Sequence, residues 1–129
     1  MRILALDFGA ARTGVAVSDA TGTIARPLDV VVRAATPEGL ARLRELVQQQ
    51  EAERVVVGLP LTLRGARGSQ AEATEEFVRA LREALDVPVE TYDERFTTTL
   101  AVREPGEAPE DARAAAHLLQ SYLDWARVN

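Results

Sequence analysis

The pattern of hydrophobic and polar positions changes character once along this chain. From Ile3 to Val32 the apolar residues come in short runs broken by glycine and turn residues. Such runs predict strands over about 2–8, 13–19 and 24–32. The turn Gly9 to Arg12 joins the first two, and Asp19 to Thr23, with Gly22 for a tight reversal, joins the second to the third. Pro27 cannot donate a ladder hydrogen bond, so the third strand belongs at a sheet edge or carries a bulge. Three sequential strands with short connections predict an antiparallel meander.

Beyond Thr36 the period becomes helical. Thr36 and Pro37 form a helix start, cap then first turn. Leu40, Leu43, Leu46 and Val47 mark one face through about Gln50. "RVVVGLP" at 54–60 is apolar without alternation, as suits a central parallel strand. A loop over 61–70 carries Arg64, Gly65, Arg67 and Gly68. Ser69 with Glu72 predicts a capping box for the next helix, whose apolar face holds Phe77, Leu81 and Leu85. "VPVETYDER", 87–95, predicts a fifth strand ending in charge. A short helix is expected over Thr98–Arg103, then the loop "EPGEAPED". A last helix is expected over 109–126 with Ala115, Leu118, Leu119 and Tyr122 inward. The order is βββαβαβα, which predicts an α/β fold: one five-stranded mixed sheet, a β-meander followed by αβαβα, with helices on both faces. At 129 residues, 1–129 is expected to be a single domain.

Composition narrows the chemistry. There is no cysteine, so disulfides, thiolate nucleophiles and zinc fingers are excluded. No apolar run reaches the roughly 20 residues that span a bilayer. The N-terminus makes a poor signal peptide because Asp7 interrupts its apolar run, so the expected location is cytoplasmic with no membrane partner. All 15 basic residues are arginine, yet the net charge is −5. A polyanion would therefore have to meet a local basic patch rather than the whole surface.

Ligands gather at strand ends in α/β sheets, and the acids fall there. Asp7 closes the first strand, where a carboxylate needs a metal, an arginine or backbone donors. Asp93 and Glu94 close the fifth strand, and Asp111 sits in the first turn of the last helix. Converging carboxylates make an oxygen-ligand site for a divalent cation. With only His117 beside them, Mg²⁺ or Mn²⁺ is the metal such a set would take. Each acid also has a structural reading. Asp7 could accept from amides of its turn, Asp93 and Glu94 could pair with arginines, and Asp111 could complement the helix dipole. His117 is read as a packing or surface residue. Arg12 could hold Asp7 or meet a phosphate, and Arg64 and Arg67 flank a glycine that lets backbone amides approach an anion. The loop lacks GxxxxGK[ST], so it is not a P-loop.

Taken together, four stretches resemble one family. "LALDFGAARTGVAVSD" carries Asp7, Gly9, Arg12 and Gly14 as Asp-x-Gly followed by Arg-x-Gly. "VVVGLPLTLRGARGSQA", "DERFTT" at 93–98 and "DARAAAHLLQSYLD" follow in order at suitable spacing. In these the chain resembles the YqgF/RuvX family of Holliday junction resolvases and pre-16S rRNA nucleases, nearly end to end. The resemblance implies an RNase H-like fold and divalent-metal-dependent hydrolysis of nucleic acid phosphodiesters. It implies Asp7, Glu94 and Asp111 as catalytic metal ligands, with Asp93 a weaker fourth because strand alternation sets it opposite Glu94. Arg12, Arg64, Arg67 and Arg95 would bind the nucleic acid, whether structured or precursor rRNA or branched DNA. The chain departs from the family in the short acidic segment "EPGEAPE" before Asp111.

Two other readings remain. One is a non-catalytic nucleic-acid-binding ribosome-assembly factor on the same fold, suggested by that segment and the net charge. The other is a nucleotide-binding domain of the actin and sugar-kinase type, which needs two such domains where this length allows one. The oligomeric state is expected to be monomer or homodimer, with the surface around Trp125 as a candidate dimer face.

Overall fold

The computed structural model describes residues 1–60, 68–93 and 109–128. Arg64, Arg67, Glu94, Arg95 and the helix expected over Thr98–Arg103 lie outside the described residues. The elements are β1 (Ile3–Asp7), β2 (Arg12–Ser18), β3 (Ala25–Val32), α1 (Pro37–Gln50), β4 (Arg54–Leu59), α2 (Ser69–Ala84), β5 (Val89–Asp93) and α3 (Glu110–Val128). They form a five-stranded sheet in the order β3-β2-β1-β4-β5.

The expected meander is present. β1 pairs antiparallel with β2, and β2 with β3. β4 lies between β1 and β5 and pairs parallel with both. That placement accounts for its unbroken Val55-Val56-Val57, buried from both faces. Pro27 sits in the edge strand. The register there slips between Val15 and Ala16, which oppose Asp29 and Pro27, so Leu28 is the extra residue of a bulge.

Strand alternation divides the core in two. Leu4, Leu6, Val15, Val17, Val55 and Val57 face α1 and α2, and pack with Leu43, Phe77 and Leu81. Ile3, Ala5, Ala16, Val56 and Tyr92 face α3, and pack with Ala115, Leu118, Leu119 and Tyr122. Truncating one of the large buried side chains would cost about 2–5 kcal/mol. α3 is further tied to the sheet by polar groups. The Tyr122 hydroxyl accepts from Arg54 at 3.0 Å and donates to Glu90. Gln120 accepts from the Ala25 amide and donates to the Thr23 carbonyl, both at 3.0 Å.

Helix starts follow the sequence in one case and depart from it in another. Thr36 caps α1, its hydroxyl accepting from the Gly39 amide at 3.1 Å. The Ser69–Glu72 capping box does not form. Gly68 takes the extended N-cap conformation, its carbonyl accepts from the Glu72 amide, and Ser69 becomes the first helical residue. Leu85 stands just past the end of α2 in extended conformation, buried in the same core.

Candidate nucleic acid cleavage site

The carboxyl ends of β1, β4 and β5 share one edge of the sheet, and Asp7 closes β1 there. Because Ile3 and Ala5 face α3, alternation puts Asp7 on the α3 face too. Its partner across the β1–β2 ladder is Gly14. One step beyond the Leu6–Val57 pair, Asp7 is level with Gly58 of β4. The carboxylate thus has glycine level with it on both neighbouring strands.

α3 uses that gap. A β-carbon built on Gly14 would lie 1.8 Å from the carbonyl oxygen of Asp111 and 3.0 Å from the Ala112 amide nitrogen. Any larger residue would force the first turn of α3 away from the sheet. Glycine at position 14 therefore brings Asp111 down beside Asp7, although the two residues stand at opposite ends of the chain. Asp111 also meets Arg12, whose Nε is 3.2 Å from its Oδ2. The β1–β2 turn that carries Arg12 is held by Thr13. This residue is fully buried, and its hydroxyl makes long 3.4 Å hydrogen bonds with the amide and carbonyl of Gly9.

At the same sheet edge, a cleft of about 320 Å³ is lined by Asp7, Phe8, Pro60, Gln70 and Thr74. Phe8 forms its wall by stacking on Phe77, with ring centroids 4.3 Å apart.

Of the residues the sequence pointed to, Arg12 and Asp111 meet, and Asp7 lies across the ladder from the Gly14 on which the Asp111 backbone rests. Asp93 does not join them. Glu90 and Tyr92 face α3, since the one meets Tyr122 and the other Ser121, so Asp93 falls on the opposite face, with Val89. Glu94, Arg64, Arg67 and Arg95 lie outside the described residues. His117 is half-buried on α3 and has no hydrogen bond or ion pair among the described residues. The sequence reading missed Thr13, which holds the β1–β2 turn and whose only signal was a buried hydroxyl in an apolar strand; it also did not single out Arg33, which the fold sets at the same edge as Arg12.

The donor set fits a hard divalent cation, since both described carboxylates offer only oxygen. Two acids make an incomplete cage. No cluster of three acid, histidine or cysteine side chains that could hold a metal occurs among the described residues. No helix among them is long and apolar enough to cross a membrane.

A mixed five-stranded sheet with α1 and α2 on one face and α3 on the other, and acids at the end of β1 and the start of α3, defines an α/β protein of the RNase H-like class. The likeness to solved structures agrees. Thermus thermophilus RuvC in complex with a Holliday junction substrate matches with a TM-score of 0.71 at 20% identity, over 100% of this chain and 96% of that one. Fowlpox virus resolvase in a Holliday junction DNA complex matches at 0.60 and 12%, over 98% and 99%. The family model described as "RuvX: Holliday junction resolvase" matches residues 1–125, and the chain belongs to that family. Curated relatives bear the name "Putative pre-16S rRNA nuclease". The protein from Chloroflexus aurantiacus is 46% identical over 98% of this chain and 89% of its own. That from Syntrophomonas wolfei is 41% identical over 96% and 94%.

Proposed function

We propose that this protein is a divalent-metal-dependent nuclease that hydrolyses nucleic acid phosphodiesters. The observation that carries the reading is the convergence of Asp7 and Asp111 on one face of an RNase H-like sheet, made possible by Gly14. Asp7, Glu94 and Asp111 would hold one or two Mg²⁺ or Mn²⁺ ions. An ion held by carboxylates supplies a Lewis acid for the phosphoryl oxygens and lowers the pKa of water. The chain's own part is to fix those carboxylates and to bind the substrate. Arg12, Arg64, Arg67 and Arg95 would contact phosphates, which sets register without reading bases. The substrate class is structured or precursor rRNA, or branched DNA, as the names of the relatives suggest, and a cytoplasmic location suits either. The protein would act as a monomer or a homodimer, and resolution of a symmetric junction calls for two copies.

The test is cleavage of a labelled four-way DNA junction and a stem-loop RNA in Mn²⁺ by wild type, Asp7→Asn and Asp111→Asn. Cleavage by wild type alone is expected. Equal cleavage by all three rules the site out.

One observation favours a second reading, a nucleic-acid-binding assembly factor without cleavage. Asp111 already has a cationic partner in Arg12, at 3.2 Å. Salt-dependent RNA binding with no Mn²⁺-stimulated cleavage would select it.

A further inference from the structure

The fold holds Arg33 in a backbone conformation that L-residues rarely adopt, with φ at +48°. It sustains that conformation with several contacts. The Arg33 amide donates to the Ala11 carbonyl at 3.0 Å. The Arg33 carbonyl accepts from the Thr36 amide at 3.1 Å and from the Thr36 hydroxyl at 2.7 Å. α1 presses on the same segment: a β-carbon on Gly39 would lie 2.3 Å from the Arg33 carbonyl oxygen and 2.5 Å from the Ala34 α-carbon. Glycine or asparagine would take this conformation at less cost, yet arginine stands here.

Arg33 is exposed and makes no side-chain hydrogen bond or ion pair among the described residues. Glu38, an exposed acid in the next turn, is not its partner. Arg42, Arg54, Arg82 and Arg127 are each tied to an acid or a carbonyl; Arg2, Arg26, Arg44 and Arg79 share Arg33's lack of a side-chain partner among the described residues, so its place in the fold is what sets Arg33 apart.

Its place is specific. Arg12 lies opposite Val32 in the β2–β3 ladder, and the Arg33 amide continues that ladder to Ala11. Arg33 therefore stands beside Arg12 on the edge that carries Asp7. Counting two strand spacings across and three residues along, its α-carbon is ~14 Å from that of Asp7. Val32, next to it, is also exposed and adds no charge.

We infer that Arg33 binds a backbone phosphate of the nucleic acid a few nucleotides from the bond at Asp7, and that the strained turn exists to present it there. This assignment rests on the nuclease reading of the Asp7–Asp111 site. In a chain of net charge −5, nucleic acid needs local cations. Arg33 offers a second guanidinium beside Arg12, one that no acid holds among the described residues, where Arg12 meets Asp111. Phosphate neutralisation is independent of base sequence, so the effect should be alike for RNA and DNA.

The test uses Arg33→Gly, Arg33→Lys and wild type, with a fluorescent stem-loop RNA and a four-way DNA junction, titrated at several salt concentrations without divalent ions. Arg33→Gly is expected to keep or raise the melting temperature, because glycine relieves the backbone. It is expected to bind roughly threefold to tenfold more weakly, with a slope of log affinity against log salt shallower by about 0.9. Arg33→Lys should retain the wild-type slope. Wild-type affinity and slope in Arg33→Gly would overturn the assignment, as would weaker binding accompanied by a lowered melting temperature. Cleavage by Asp7→Asn in Mn²⁺, run in parallel, would instead overturn the reading of the site. Failure of wild type to bind either probe would overturn both.

Discussion

The carbonyl oxygen of Asp111 occupies the space that a β-carbon on Gly14 would need, 1.8 Å from where that carbon would stand. This contact couples the β1–β2 hairpin to the start of α3, and so couples Asp7 to Asp111. Gly14→Ala should push the first turn of α3 off the sheet. Overpacking of this kind costs about 1–3 kcal/mol, measurable by urea unfolding. Displacing Asp111 by even 1 Å should lower cleavage on the order of 10²-fold. A Gly14→Ala protein with wild-type stability and cleavage would show that the close approach has no consequence.

The Arg12–Asp111 pair should act on ligands rather than on stability. Both side chains are substantially exposed, at 67% and 37%, and such pairs contribute about 0–1 kcal/mol. Arg12→Gln should unfold within about 1 kcal/mol of wild type. It removes a cation that competes for the Asp111 carboxylate, so Mn²⁺ should bind more tightly by calorimetric titration, while nucleic acid binds more weakly. Weaker Mn²⁺ binding in Arg12→Gln would contradict the competition.

Asp19 gives the stability of the β2–β3 turn a pH dependence. Its carboxylate accepts from the Thr21 hydroxyl at 2.6 Å, the Thr23 amide at 2.8 Å and the Ile24 amide at 3.1 Å. These bonds, the Thr21 hydroxyl foremost, hold its pKa down from 3.8 to about 2. A depressed carboxylate pKa stabilises the fold above the unfolded value, and that stabilisation is lost as pH falls from 3.8 through about 2. Asp19→Asn should therefore melt below wild type at pH 7, and the gap should close by pH 2. A gap that persists unchanged at pH 2 would assign the loss to something other than the charge.

Much of the fold was legible because its signals are local. Short apolar runs and Gly22 marked the meander, Pro27 marked the edge and its bulge, and the solid Val55–Val57 run marked the central parallel strand. The start of α2 was misread because two adjacent residues competed for the cap. Ser69 has the better side chain, but Gly68 takes the extended backbone and supplies the carbonyl. Asp7 and Asp111 were each visible as acids at element ends, and the family resemblance joined them. Their convergence depends on the β1–β2 register and on a helix packed over Gly14, neither of which spacing reveals. Asp93 followed from alternation once the parity of β5 was known. Arg33 was invisible as one arginine among 15, since nothing in its residue type announces a positive φ. Thr13 gave little more, a hydroxyl in an apolar strand.

The central claim is that Asp7 and Asp111 share a divalent ion. A crystal structure grown with Mn²⁺, with data collected for manganese anomalous scattering, tests it most directly. The account predicts an anomalous peak within about 2.0–2.6 Å of carboxylate oxygens from both Asp7 and Asp111, with the Arg12 guanidinium withdrawn from Asp111. Saturating Mn²⁺ that leaves the Arg12–Asp111 pair intact, with no peak between the two acids, would contradict it.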